Sequence, residues 1–192
     1  MVRWQPGTSE RLQAAALDLF ASRGYEQTTA AEIAQSVGLT ERTFFRHFSD
    51  KREVLFHGQE QLTEAFVGGV AAAPADATPM ELVGVALDTA AELFPDERRS
   101  HSRLRQSVIG QNPALQERER HKMSVLASAM SDALRARGVA EPAATLAGQS
   151  AAMVFGVAFG QWLRDDEERS LADIQRELLA ALRGLTGASP TG

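Results

Sequence analysis

The sequence predicts an all-α fold of about nine helices, with a three-helix helix-turn-helix module at the amino end and a larger helical domain after it. Three observations lead there. Apolar residues recur at three- and four-residue spacing along most of the chain, the period of one helix face. Runs in which β-branched and aromatic residues alternate with polar ones, the mark of a half-buried strand, do not occur. Capping residues and glycine or proline stops cut the chain into segments of ordinary helix length.

The first helix runs from Thr8 or Ser9 to Arg23, with Leu12, Ala16, Leu19 and Phe20 on one face. Gly24 ends it, and Tyr25 folds back on its last turn. Thr29 opens the second helix, with Glu32 three residues on in capping-box register. Gly38 turns the chain, Thr40 caps again, and the third helix carries Glu41 to about Phe48. Asp50 starts a fourth helix bearing Val54, Leu55, Leu62 and Phe66, after which Gly68, Gly69 and an Ala/Pro stretch to Thr78 loosen the chain. Thr78, Pro79 and Glu81 begin a fifth that stops before Pro95. A charged segment from Asp96 to Arg105 leads to a helix reaching Gly110. Asn112 and Pro113 open a long helix to Arg137, whose stripe is Leu115, Met123, Leu126, Met130 and Leu134. An uncharged helix follows from Pro142 to Leu163, and Ser170 with Asp173 caps a last one bearing Ile174, Leu178 and Leu182.

A chain of 192 residues can bury a substantial core unaided, and the lack of cysteine removes disulfides, thiolate metal sites and cysteine nucleophiles. A reducing cytoplasm is the expected compartment, since Met1 to Pro6 lacks the apolar core of a signal peptide. Pro142 to Leu163 is long enough to span a bilayer, yet six alanines, three glycines, Gln149, Ser150 and Gln161 make it weakly apolar. A buried helix and no membrane are expected. No enzyme chemistry is legible either. Asp165 to Glu168 form an acidic run without ligand geometry, His57, Glu60 and Glu64 line up on a solvent face, and no glycine-rich phosphate loop exists. Catalytic residues, metals and cofactors are therefore not expected.

Net charge is −5, but the distribution matters more than the sum. Between Thr40 and Arg52 four cations, Arg42, Arg46, Lys51 and Arg52, face two anions, Glu41 and Asp50, a basic island of +2 in an acidic chain. Three short helices, a glycine turn between the second and third, and a connecting fourth are the parts of a helix-turn-helix. The third would be the reading helix, presenting Thr40, Glu41, Arg42, Thr43, Arg46 and His47 outward while Phe44 and Phe48, four apart, anchor it inward. Singly these residues say little: threonines cap any helix, and exposed arginine needs no function. The joint spacing carries the signal.

GLTERTFFRHFSDKREVL, from Gly38 to Leu55, resembles the signature of the tetracycline-repressor (TetR) family of bacterial regulators. Ala15, Phe20, Gly24, Tyr25, Thr28, Thr29, Ile33 and Ala34 extend the likeness, which covers roughly residues 8 to 56. The resemblance implies a DNA-binding domain over 1–56 and an effector-binding and dimerisation domain over 57–192. It implies a homodimer on double-stranded, palindromic operator DNA, released by a small-molecule effector, largely apolar, in the manner of a repressor. Thr29 would contact a phosphate, Thr40, Arg42, Thr43 and His47 would approach bases or nearby phosphates, and Lys51 would clamp the backbone. Phe45 stands where the family usually has tyrosine. The hydroxyl contact is lost, ring packing on sugar or a thymine methyl remains, and a helical small-molecule-binding protein that no longer reads an operator stays open as the alternative. Arg3 and Trp4 allow a minor-groove arm or a disordered end.

Phe94, Ile109, Met123, Met130, Met153, Phe155, Phe159 and Trp162 fall on helices that surround the family's effector cavity, and they suit plain core equally well. The uncharged helix and the last helix are the candidate dimer contact, through Gly148, Ala152, Gly156 and Gly160 at four-residue spacing with Ile174 and Leu178. An ordinary core helix would show the same pattern. Arg103 and Arg105 read as a solvated charged segment, with contact to an anionic effector as the alternative.

Overall fold

A computed structural model describes residues 7–187, so the expected arm at Arg3 and Trp4 lies outside the described residues. All regular structure among the described residues is helical. The α-helices are α1 (Thr8–Arg23), α2 (Ala30–Ser36), α3 (Glu41–His47), α4 (Gln59–Ala72), α5 (Pro79–Ala91), α6 (Arg99–Gly110), α7 (Pro113–Ala136), α8 (Ala143–Trp162) and α9 (Leu171–Gly187). Short 3₁₀ turns occupy Glu53–Phe56 and Asp96–Arg98.

The expected fourth helix from Asp50 is divided. The Asp50 carboxylate accepts from the backbone N–H groups of Arg52 and Glu53, at 2.7 and 3.0 Å, and so starts only the 3₁₀ turn. Gly58 then takes φ +93°, a left-handed conformation that breaks any helix and that side chains with a Cβ rarely adopt. The new helix begins at Gln59. Gly68 and Gly69, expected to loosen the chain, instead lie inside α4, where Gly69 is buried against the backbone of α5 at Ala86. Helix packing there outweighs the low helix propensity of glycine.

Contacts divide the chain into two units, Met1–Gln59 with His101–Glu119, and Glu60–Ser100 with Arg120–Gly192. The division expected at residue 56 did not foresee that the segment 101–119 folds with the amino-terminal helices. The physical reason is apolar: Val108, Ile109 and Leu115 join Leu12, Ala16, Leu17, Phe20, Ile33, Ala34, Phe44, Phe48, Val54, Leu55 and Phe56 in one core. Each large side chain sunk there contributes about 1.5–3 kcal/mol relative to exposure.

In the second unit α5, α8 and α9 pack on one another. The α8 helix is long and apolar enough to cross a membrane, but Ala144, Ala147, Ala151, Val154, Phe155, Ala158 and Trp162 are buried in the unit's own core. Arg137, just past α7, donates to four carbonyl oxygens, those of Val70, Ala71, Ala73 and Pro74, at 2.7 to 3.1 Å. Its charge thus sits on the carbonyl end of α4, where the helix dipole favours a cation.

Candidate nucleic-acid interface, ligand core and apolar face

One cap and two buried aromatic rings set the orientation of α3. Thr40 Oγ1 accepts from the Thr43 N–H at 3.3 Å, which fixes the first turn, and the Thr40 and Thr43 hydroxyls lie 3.0 Å apart. Phe44 and Phe48 are buried with their rings 5.3 Å apart, so the opposite side must face out. That side presents Arg42, Phe45 and Arg46, related by three and four residues, with His47 at its end. His47 Nδ1 lies 3.2 Å from Ser9 Oγ. Phe45 is 50 % exposed, a large apolar ring held out of the core beside two guanidinium groups.

Thr29 caps α2 as expected, in a closed capping box. Its Oγ1 accepts from the Glu32 N–H at 3.2 Å, while its own N–H and hydroxyl donate to Glu32 Oε2 at 2.8 and 2.9 Å. Those bonds, the backbone one first, hold the Glu32 carboxyl below the usual carboxylate range. A carboxylate therefore already occupies this helix start, where the sequence suggested a phosphate would rest.

Lys51 is also engaged within the chain. Its Nζ donates to the carbonyl oxygens of Tyr25 and Thr28, at 2.8 and 3.0 Å, and lies 4.2 Å from the centre of the Tyr25 ring. The expected backbone clamp is thus, in the free protein, the group that fastens the α1–α2 loop. Burial, with Asp50 second, pushes the Tyr25 hydroxyl up to about 12.

Sequence reasoning missed the arginines that hold 101–119 in this unit. Arg105 Nε donates to the Leu55 carbonyl and Nη2 to Glu119, both at 2.8 Å. Arg118 grips Glu53 through two bonds of 2.9 Å and reaches Gln59 Oε1 as well. Both guanidinium groups lie over the Phe56 ring, 5.2 and 4.8 Å from its centre. Arg105 is therefore not part of a solvated segment. The signal available in the sequence was only a pair of arginines without a fixed periodic partner.

In the second unit Phe66, Phe94, Phe155, Phe159 and Trp162 form one aromatic cluster, with neighbouring ring centres 5.2 to 6.2 Å apart. Met123 packs, partly buried, against the wider core of this unit, and Met130 is buried in it. Two expected pocket residues leave the set. Ile109 belongs to the core of the other unit, and Met153 is 52 % exposed on the outer side of α8.

The expected dimer residues separate in the same way. A Cβ on Gly148 would stand 2.7 Å from the Ser131 backbone nitrogen, so that glycine serves close packing of α8 within the protomer. Ala152 and Ile174 are likewise buried internally, and Leu178 is partly buried. Gly156 and Gly160 are exposed, and a Cβ on either would meet nothing within 4 Å. Beside them run Leu146 (64 % exposed), Met153 and Val157 (54 %), an apolar stripe of helical period that the sequence did not single out.

Residues 12–57 match the family described as bacterial regulatory proteins, tetR family. A curated relative, the HTH-type transcriptional regulator TcmR of Streptomyces glaucescens, is 40 % identical over 74 residues, which is 38 % of this chain and 33 % of that protein. The match thus spans about a third of that relative's length. Among solved structures, Thermus thermophilus FadR, a TetR-family transcriptional repressor in complex with lauroyl-CoA, superposes with a TM-score of 0.58 at 24 % identity, covering 96 % of this chain and 98 % of its own. Bacillus subtilis FadR in complex with stearoyl-CoA gives 0.58 at 18 % identity, covering 90 % and 96 %. The all-α fold is that of these regulators.

Proposed function

Starting from an amino-terminal domain that belongs to the tetR family of bacterial regulatory proteins, we propose that this chain is a cytoplasmic, homodimeric, non-catalytic repressor that leaves a palindromic operator when a small molecule binds its second unit. The observation that carries this reading is the outer face of α3, where Arg42, Phe45 and Arg46 stand out from a helix whose inner side is locked by Phe44. A short helix with one immobile face and one cationic face suits entry into a major groove.

The roles follow from reach and chemistry. Arg42, in the first turn, is placed to fork onto a guanine edge, and the Phe45 ring to lie on a thymine methyl. Arg46 and His47 serve phosphates, as do the hydroxyls of Thr40 and Thr43. Lys51 and Thr29 hold the loop and start of α2 so that its amide groups meet the backbone.

A second copy of this chain covers the stripe Leu146, Met153, Val157 on α8, with Gly156 and Gly160 allowing the two helices to approach closely. Support comes from the open space that a Cβ on either glycine would meet among the described residues. The dimer would set two reading helices roughly 34–36 Å apart, one turn of the duplex. The effector enters the aromatic core of the second unit; two proteins of this fold, the FadR neighbours, are in complex with lauroyl-CoA and stearoyl-CoA.

The test is selection of binding duplexes from a random pool, followed by footprinting on the winners. Inverted repeats with half-sites one helical turn apart support the proposal, and a pool without enrichment sinks it.

A further inference from the structure

The second unit buries polar groups that have no hydrogen-bond partner among the described residues. Gln175 is 0 % exposed on the inner face of α9, between Leu171 and Leu179, and both its Nε2 and its Oε1 lack a hydrogen-bond partner. Trp162 is fully buried too, and its Nε1 has no acceptor. Buried amides and indoles in folded proteins are almost always paired, because an unpaired donor or acceptor forfeits its hydration without return.

The surroundings decide what kind of partner would satisfy these groups. A hypothetical Cβ on Gly84 would touch Leu179, and Arg176 pairs with Asp88, so α9 runs antiparallel to α5 and Gln175 comes level with residues 88–91. Trp162 ends α8, and Leu171 begins α9 a short loop later. Gln175 stands about one helical turn into α9, and α5, α8 and α9 pack on one another, so the amide and the indole are both buried among these three helices. The rings of Phe94 and Phe159 pack against the indole, and Phe155 stacks on Phe159. Arg99 lies over the Trp162 ring at 5.1 Å, but its guanidinium donates to the carbonyl oxygens of Arg169 and Glu167.

We propose that Gln175 and the Trp162 indole N–H form the polar end of the effector site, which takes an aromatic molecule carrying an uncharged oxygen function such as a phenol, ketone or lactone. The amide offers one donor and one acceptor and the indole a second donor, a set that a hydroxyl or carbonyl oxygen satisfies. A carboxylate would have to be desolvated among apolar rings, so charged analogues are rejected. This inference rests on the reading of the second unit as an effector domain.

Three probes that share one ring system separate the possibilities: naphthalene, 2-naphthol and 2-naphthoate, titrated calorimetrically into the full-length dimer. 2-Naphthol is expected to bind about tenfold more tightly than either of the others, the equivalent of one well-made hydrogen bond, and Gln175→Leu is expected to remove that preference. The Trp162 indole N–H resonance, assigned in a Trp4→Phe background, should shift with 2-naphthol. Equal binding of naphthol and naphthalene, a preference retained in Gln175→Leu, or no binding by any probe overturns the proposal. Operator binding measured on the same samples without probe keeps the two readings apart: intact operator binding with a failed naphthol preference removes this site and leaves the regulator standing.

Discussion

The Lys51 ammonium donates to the Tyr25 carbonyl at 2.8 Å while lying 4.2 Å above the centre of the Tyr25 ring. With its second bond to the Thr28 carbonyl, one charge closes the loop that leads into α2. A basic residue next to a reading helix is easily assigned to phosphate. Here two of its three protons already have partners inside the chain, so it acts first as a positioning group.

Exchanging Lys51 for methionine keeps the stem and removes the charge, leaving two carbonyls without their donor. The expected cost is about 1–3 kcal/mol in chemical unfolding, with operator affinity lowered for every sequence alike, and Lys51→Arg recovering part of both. A methionine variant as stable as the parent would contradict this role.

Tyr25 is the chain's one tyrosine, so its ionisation can be followed alone by absorbance. Burial holds the folded hydroxyl at about 12, above the unfolded value of 10.0. Because the folded state keeps the proton that the unfolded state releases, stability is intact below pH 10 and falls as pH rises from 10 toward 12. A tyrosinate transition near 10 in the folded protein would refute the burial argument.

Arg137 bonds four carbonyl oxygens at the end of α4, although it lies more than sixty residues away in sequence. Arg137→Gln should lower stability by about 1–3 kcal/mol without changing operator affinity per folded dimer. Thermal melting by circular dichroism reads the first quantity and fluorescence anisotropy the second. An unchanged melt would show that the carbonyls are as well served by water.

Gly156 has open space where a side chain would stand within one protomer. Gly156→Leu combined with Met153→Glu should leave the helical content intact yet shift sedimentation to the monomer and abolish tight operator binding, since each half-site alone is weak. A double variant that still sediments as a dimer moves the interface elsewhere.

Much of the first unit was legible because its signals are local. Thr29 with Glu32, Thr40 with Thr43, and the inward pair Phe44 and Phe48 all act within one turn, and the structure places each as the spacing requires. What escaped was long-range. Arg118 meets Glu53 and Arg105 meets the Leu55 carbonyl across fifty or more residues, and no period in the chain announces such a pairing. The outer and inner sides of α8 were blurred for a related reason. Small residues occur on both sides, so Gly148 and Gly156 look alike in sequence, and only the position of Ser131 tells them apart.

The central claim is that the outer face of α3 reads a duplex, and a salt series on the selected operator tests it most directly. Wild type should show log Kobs falling linearly with log salt, with a slope of about −5 or steeper for roughly six phosphate contacts over the dimer. Arg42→Ala should keep nearly that slope while losing about 1–3 kcal/mol of preference for the operator over a scrambled duplex. Affinity that ignores salt, or an Arg42→Ala protein that still distinguishes the two duplexes as well as wild type, would contradict the assignment.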